Sequence, residues 1–279
     1  MPIQNKNNKI KKWIIFGCVL VLLCCFAWYE NHHLVVTYYD YESNKIADGL
    51  NGYRIVQISD LHNATFGKDN NKLISKIINL SPDIVVITGD IVDSNHTDID
   101  GAIQFVQNIS KTCPVYYVTG NHEYWLDEAD SQALMKGLEG AGAVILNNEK
   151  VTVNKGTASF ELIGLDDKSL GDNTLKSLTD KCSDEDFTVA LAHEPQYIQE
   201  YSCTKTDLLL SGHAHGGQFI LPFIGAVVAP DQGFLPEYTA GEYQMNKMTM
   251  FVSRGLGNSV IPVRLFNDPE IVCIELKSR

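Results

Sequence analysis

Asp83-Ile84-Val85-Val86-Ile87-Thr88-Gly89-Asp90 passes in one step from an uninterrupted apolar, β-branched run to a glycine and a carboxylate. Such a run reads as a strand buried on both faces, the texture of a parallel sheet flanked by helices. Glycine then lets the chain turn tightly, and the carboxylate after it stands at the strand's carboxyl end, where open α/β sheets present their functional groups. Asp93 follows three residues later. Alone, a strand followed by Gly-Asp is a common turn.

The pattern recurs along the chain. Buried-strand texture over Arg54 to Ser59 leads to Asp60-Leu61-His62, and Val115 to Thr119 leads to Gly120-Asn121-His122-Glu123. Phe187 to Ala192 leads to His193, and Asp207 to Ser211 leads to Gly212-His213-Ala214-His215-Gly216-Gly217. Asp60 and His62 straddle a leucine, so both can face one point while Leu61 enters the core. Asn121 offers a neutral carbonyl oxygen, a ligand that adds no charge. The paired imidazoles of His213 and His215 on a glycine-rich loop have little packing purpose and point to metal. Of eight histidines, five fall in these clusters; His32, His33 and His96 do not.

Between the strands lie helical patterns. Asp69 to Leu80 carries apolar residues at helical spacing and ends before Pro82. Asp98 to Ile109 and Asp127 to Leu138 are amphipathic with acidic starts. Beyond Ala143 the texture changes to short runs, Ala143 to Leu146, Lys150 to Val153 and Ser159 to Leu165, read as hairpin strands of a second sheet. Leu34 to Tyr39, Met248 to Ser253, Pro262 to Phe266 and Ile271 to Leu276 add strand signal, and Gly216 to Gly241 is a long irregular segment. The expectation is a two-sheet sandwich flanked by helices.

The N-terminus is of another kind. Lys6, Lys9, Lys11 and Lys12 precede the apolar run Trp13 to Tyr29, whose ends carry Trp13, Trp28 and Tyr29. Basic flank, apolar centre and interfacial aromatics predict a single-pass signal anchor, with the lysines inside and the catalytic domain extracytoplasmic. A cleaved signal and a buried helix are the alternatives, and no small-x-small cleavage site follows the run. The expected organisation is a basic cytoplasmic N-terminus (1–12), a transmembrane anchor (13–29), a linker with the first strand (30–49), and one catalytic domain (50–279). A net charge of −12 leaves no basic stripe for a nucleic acid, so none is expected as partner. Cys113, Cys182, Cys203 and Cys273 lack metal-type spacing and read as two disulfides or as small buried hydrophobes.

Taken together, D-x-H, G-D-x-x-D, G-N-H-E, a lone His and G-H-x-H resemble the calcineurin-like metallophosphoesterases, over roughly residues 53 to 276 and nearest their membrane-anchored bacterial phosphodiesterase branch. The resemblance implies a four-layer α/β/β/α sandwich and two divalent metal ions, for which the nitrogen and oxygen donors suit Mn, Fe or Zn alike. By motif position Asp60, His62 and His215 would hold one metal, Asn121, His193 and His213 the other, with Asp90 bridging. His122 would be the acid toward the leaving oxygen, oriented by Asp93. The implied reaction is attack of a metal-activated hydroxide on a phosphodiester or pyrophosphate, possible substrates being envelope or lipid-linked phosphoesters at the bilayer. The alternative is a catalytically silent metal-binding scaffold. Ser94-Asn95 stands where animal phosphoprotein phosphatases carry Arg-Gly, which argues against a protein phosphatase. Arg254 and Arg264 are read either as phosphate-recognising or as structural.

Overall fold

The computed structural model describes residues 3–258 and 261–279, so the first two residues of the expected basic N-terminus lie outside the described residues. Two six-stranded sheets stack face to face. In the first, the order is Val35–Ser43, Glu270–Ser278, Tyr53–Ile58, Ile84–Thr88, Val115–Val118, Ala143–Ile145. Its neighbours are parallel except where Glu270–Ser278 meets Tyr53–Ile58. In the second, the order is Gly241–Met245, Met248–Val252, Leu208–Ser211, Thr188–Leu191, Ala158–Gly164, Glu149–Lys155, with a parallel centre and antiparallel edges.

Side-chain alternation along each strand builds the layers. In Ile84–Thr88, Ile84 and Val86 face the second sheet, meeting Phe160, Val189, Leu210 and Phe251, while Val85 and Ile87 face outward. That outer face is covered by the helices Asn71–Asn79, Ile99–Ser110 and Glu128–Gly140 through Leu73, Ile77, Phe105, Val106, Leu134 and Leu138. The outer face of the second sheet is covered by Thr174–Thr179 and Ile198–Tyr201 through Leu175, Leu178, Ile198 and Tyr201. Burying each such side chain stabilises by about 1.5–3 kcal/mol, which is why both faces of the central strands are apolar. The four layers match the expected sandwich.

Three expectations change. Ala143 to Leu146 does not begin the second sheet: Ala143–Ile145 closes the edge of the first, parallel to Val115–Val118. It follows a helix, and a strand–helix–strand crossover returns to the same sheet. Pro262 to Phe266 forms no strand; Leu265 makes a single bridge to Phe219, two prolines nearby leaving few backbone donors. Asp98 and Asp127 sit outside their helices as N-caps, accepting from the N–H groups of Gly101 and Asp130 at 2.9 Å each. No disulfide joins the described cysteines; Cys113, Cys182 and Cys273 are buried singly.

The N-terminal helix, Ile3–His32, contains one span long and apolar enough to cross a membrane, Lys9–His32, with mean hydropathy 2.2. Its final turns rest on the loop before Glu270. Phe26 packs on Phe266 at 5.6 Å between ring centroids, Asn31 Oδ1 accepts from Asn258 Nδ2 at 2.6 Å, and buried Glu30 accepts the Asn267 N–H at 3.2 Å.

Candidate metal centre

The two sheets direct the carboxyl ends of their parallel strands to one place. Tyr53–Ile58, Ile84–Thr88 and Val115–Val118 deliver Asp60 and His62, Asp90, and Asn121 and His122 from one side; Thr188–Leu191 and Leu208–Ser211 deliver His193, His213 and His215 from the other. Turning so many side chains inward strains the backbone. Asp60, His62, Asp90, His213 and His215 all have positive φ, between 44° and 65°. Non-glycine residues held there cost of order 1–3 kcal/mol each, and persist where function over-determines them. Gly89, at φ 87°, has no room for a side chain: a Cβ would stand 2.5 Å from His193 Nδ1.

Two groups of donors result. His62 Nε2 lies 3.1 Å from His215 Nε2, 3.5 Å from Asp90 Oδ2 and 4.0 Å from Asp60 Oδ1, and His215 Nε2 lies 3.6 Å from Asp60 Oδ1. In the second group His193 Nε2 lies 3.3 Å from the same Asp90 Oδ2, 3.2 Å from Asn121 Oδ1 and 3.2 Å from His213 Nδ1. Donors bonded at about 2.0–2.2 Å to a common cation stand about 3–3.5 Å apart, so this spacing fits one cation per group with Asp90 Oδ2 shared between them. The set is two carboxylates, one amide and four imidazoles, which leaves two divalent cations with net positive charge for an anionic substrate.

Surrounding bonds fix which imidazole nitrogen faces inward. His193 Nδ1 is 2.7 Å from the Thr88 carbonyl, an acceptor only, so Nδ1 carries the proton and Nε2 is left bare. His213 Nε2 is 2.9 Å from Asp231 Oδ2, which leaves its Nδ1 inward. Burial pushes His62 and His215 down to about 3, so both are neutral, as ligation demands. The buried Nδ1 atoms of both have no hydrogen-bond partner among the described residues. Burial pushes the Asp90 carboxyl up, but His193, His62 and His122 around it hold it well below the carboxylate range.

Beside these groups lies His122, buried, edge-on to His62 and packed under Trp125 with ring centroids 4.6 Å apart. Its Nδ1 accepts from the Ser94 backbone N–H at 3.1 Å. Asp93 shapes the loop that offers this donor: its Oδ1 accepts the N–H groups of Asn95 and His96 at 2.7 and 3.1 Å, and its Oδ2 lies 3.8 Å from His62 Nδ1. All nine residues singled out in the sequence are thus brought together.

Both arginines are tied into the fold. Arg264 is fully buried and donates to the carbonyls of Arg254 and Gly257, and Arg254 pairs with Glu270 at 3.0 Å. Sequence reasoning missed Asp231, Ser94 and the role of Glu123. The Glu123 carboxyl is buried and accepts the N–H groups of Gly120, Asp90 and Ile91 at 2.7–2.9 Å, tying the second and third motif loops together. Its place inside Gly120-Asn121-His122-Glu123 was the available signal; Asp231 carried none, lying on the irregular segment.

Residues 53–217 match the family model described as calcineurin-like phosphoesterase. The chain belongs to that family. It is a metal-dependent phosphoester hydrolase of the kind that uses a dinuclear divalent-metal site. Among curated relatives, it is 33% identical over 255 residues to the uncharacterized metallophosphoesterase YkuE of Bacillus subtilis (strain 168), covering 89% of this chain and 87% of that one. A transmembrane protein with metallophosphoesterase domain from Danio rerio is 30% identical over 84% of this chain and 55% of its own length. The phosphodiesterase YaeI of Escherichia coli (strain K12) is 26% identical over 82% of this chain and 84% of its own.

Proposed function

We propose that this calcineurin-like phosphoesterase is a membrane-anchored phosphodiesterase or pyrophosphatase acting on envelope or lipid-linked phosphoesters, with Asp60, His62 and His215 holding one cation, Asn121, His193 and His213 the other, and Asp90 both. The observation that carries the metal assignment is the single Asp90 Oδ2 lying 3.5 Å from His62 Nε2 and 3.3 Å from His193 Nε2. Diester chemistry is supported by the name of the YaeI relative, and anchoring by the Lys9–His32 span, about 36 Å long at 1.5 Å per residue against a hydrocarbon core of about 30 Å. Exposed Lys9, Lys11 and Lys12 at its start support a catalytic domain outside the cytoplasm.

When bound, two divalent cations, Mn, Fe or Zn, would supply the charge that draws in the phosphoryl oxygens and acidifies a water. The chain's own residues do the rest. Because the Ser94 N–H donates to His122 Nδ1, the ring proton sits on Nε2, and His122 would hand that proton to the departing alkoxide. Asp93 positions His122 through the loop that presents Ser94. Trp125 walls the imidazole.

The test is turnover of bis-p-nitrophenyl phosphate and p-nitrophenyl phosphate by the full chain in detergent with Mn²⁺, alongside Asp90→Ala. The diester is turned over faster, and Asp90→Ala lowers its kcat/KM by about 10³-fold, some 4 kcal/mol of transition-state stabilisation. Faster turnover of the monoester would overturn the diesterase assignment.

A further inference from the structure

The segment from Gly216 to Pro230 contains no charged residue, yet its stretch Pro222, Phe223, Ile224 and Gly225 is exposed. A short ribbon, Ile220–Leu221 paired with Gly225–Ala226, carries Phe223 and Ile224 at its tip; Phe223 is fully exposed and Ile224 61% exposed. A second ribbon, Val228–Ala229 paired with Gly233–Phe234, ends in Phe234 and Leu235, 84% and 66% exposed. Single apolar residues on a surface need no explanation, but four large ones on adjoining ribbons mark a site of interaction.

Backbone bonds lace these ribbons into one platform. Val227 N–H donates to the Phe219 carbonyl at 3.0 Å, Leu235 N–H to the Val227 carbonyl at 2.9 Å, and Ile220 N–H to the Leu265 carbonyl at 2.9 Å. Next to Leu265, half-exposed Phe266 packs on Phe26, which lies inside the Lys9–His32 span. The backbone bond at Leu265 and the Phe266–Phe26 contact thus tie the ribbons to the N-terminal helix. The same platform reaches the metal centre twice: Asp231, at the turn of the second ribbon, bonds His213, and Asn267 Nδ2 donates to the His215 carbonyl at 2.7 Å.

We propose that Phe223, Ile224, Phe234, Leu235 and Phe266 form a lip inserted into the leaflet from which the helix emerges, and that the centre acts on amphiphilic phosphodiesters whose chains remain in that leaflet. The proposal rests on the membrane-anchored reading above. The tie to the helix favours lipid as the occupant, because any other partner of Phe266 would have to share Phe26 with the bilayer. Pairing within the ribbons satisfies backbone groups that could not be left bare in an apolar phase.

The test uses the full chain in phosphatidylcholine vesicles, with Trp13, Trp28 and Trp125 replaced by Phe and one tryptophan returned at a time. Brominated phospholipid should quench Phe223→Trp as it quenches a retained Trp28. Thr157→Trp should be untouched, since Thr157 lies in the exposed turn before Ala158–Gly164, at the end of the sheet remote from the metal centre. If position 223 behaves like position 157 while Trp28 is quenched, the lip is wrong and the anchor stands. If Trp28 is unquenched as well, the anchor reading falls and the lip with it. In parallel, Phe223→Ser combined with Ile224→Ser should leave bis-p-nitrophenyl phosphate turnover unchanged. The same variant should lower kcat/KM roughly tenfold for a long-chain alkyl p-nitrophenyl phosphodiester held in vesicles, because interfacial binding scales with buried apolar area. Equal effects on both substrates would overturn the substrate half of the proposal.

Discussion

Asp231 Oδ2 accepts a hydrogen bond from His213 Nε2 at 2.9 Å, although the aspartate side chain is 65% exposed and the imidazole almost wholly buried. A carboxylate in that position fixes the tautomer and raises the basicity of the inward nitrogen. Asp231→Ala is expected to weaken the binding of one cation about 10- to 100-fold while leaving the other unchanged. Isothermal titration of the metal-stripped chain with Mn²⁺ checks this, and the expected change is confined to one of two binding steps.

Glu123→Gln replaces the carboxylate that receives three buried N–H donors with an amide whose NH₂ cannot accept. The expected cost is about 1–3 kcal/mol, the range for stranding a buried donor. At this chain length that lowers Tm by about 2–5 °C in a circular-dichroism melt. An unchanged Tm would mean that the second and third motif loops are held by something else.

Gly89→Ala places a methyl group 2.8 Å from the Gly120 backbone as well as 2.5 Å from His193 Nδ1, at a φ that alanine adopts at a cost. Neither neighbour can retreat without moving a donor to the centre. Displacements of about 1 Å at a reacting site cost about 10²-fold in rate, and that loss of diester turnover is the expected result in a chain that still folds.

Acid sensitivity of the metal-stripped chain follows from His62 and His215. Both are held at about 3 by burial, below the ordinary histidine value near 6.5. At these two sites the unfolded chain binds more protons than the folded one between pH 3 and 6.5, so their contribution to stability rises with pH across that window, against the opposite contributions of Glu123 and Asp167, which burial pushes up to about 8 and about 7. On acidification the loss begins below about pH 6.5, at up to about 1.4 kcal/mol per pH unit for each imidazole. Denaturant titrations at pH 7 and pH 5, on the metal-stripped chain and on the same chain carrying His62→Gln and His215→Gln, isolate it; the same pH dependence in both would contradict neutral burial of this pair.

The strands, and the nine candidate residues that the fold brings together, were legible because each motif follows a run whose periodicity is local, and glycine announces the turn. What was not legible depended on pairing across distance. Nothing near Ala143 says that its strand pairs with Val115–Val118 rather than opening a new sheet, since only the crossover geometry decides it. Pro262 to Phe266 has strand composition but no neighbour to supply a ladder. Asp231 lies far along an irregular segment from the histidine it orients. Glu123 sat in plain view within a motif, yet only the fold shows that its oxygens reach back to Asp90 and Ile91.

On the proposed assignment one oxygen of Asp90 would serve two cations. Metal content of the full chain after equilibrium dialysis against Mn²⁺, for the natural sequence and for Asp90→Ala, with folding followed by circular dichroism, decides it. Two ions per chain are expected in the first and at most one in the second, with the fold intact. Two ions retained without Asp90, or a single ion in the natural chain, would contradict it.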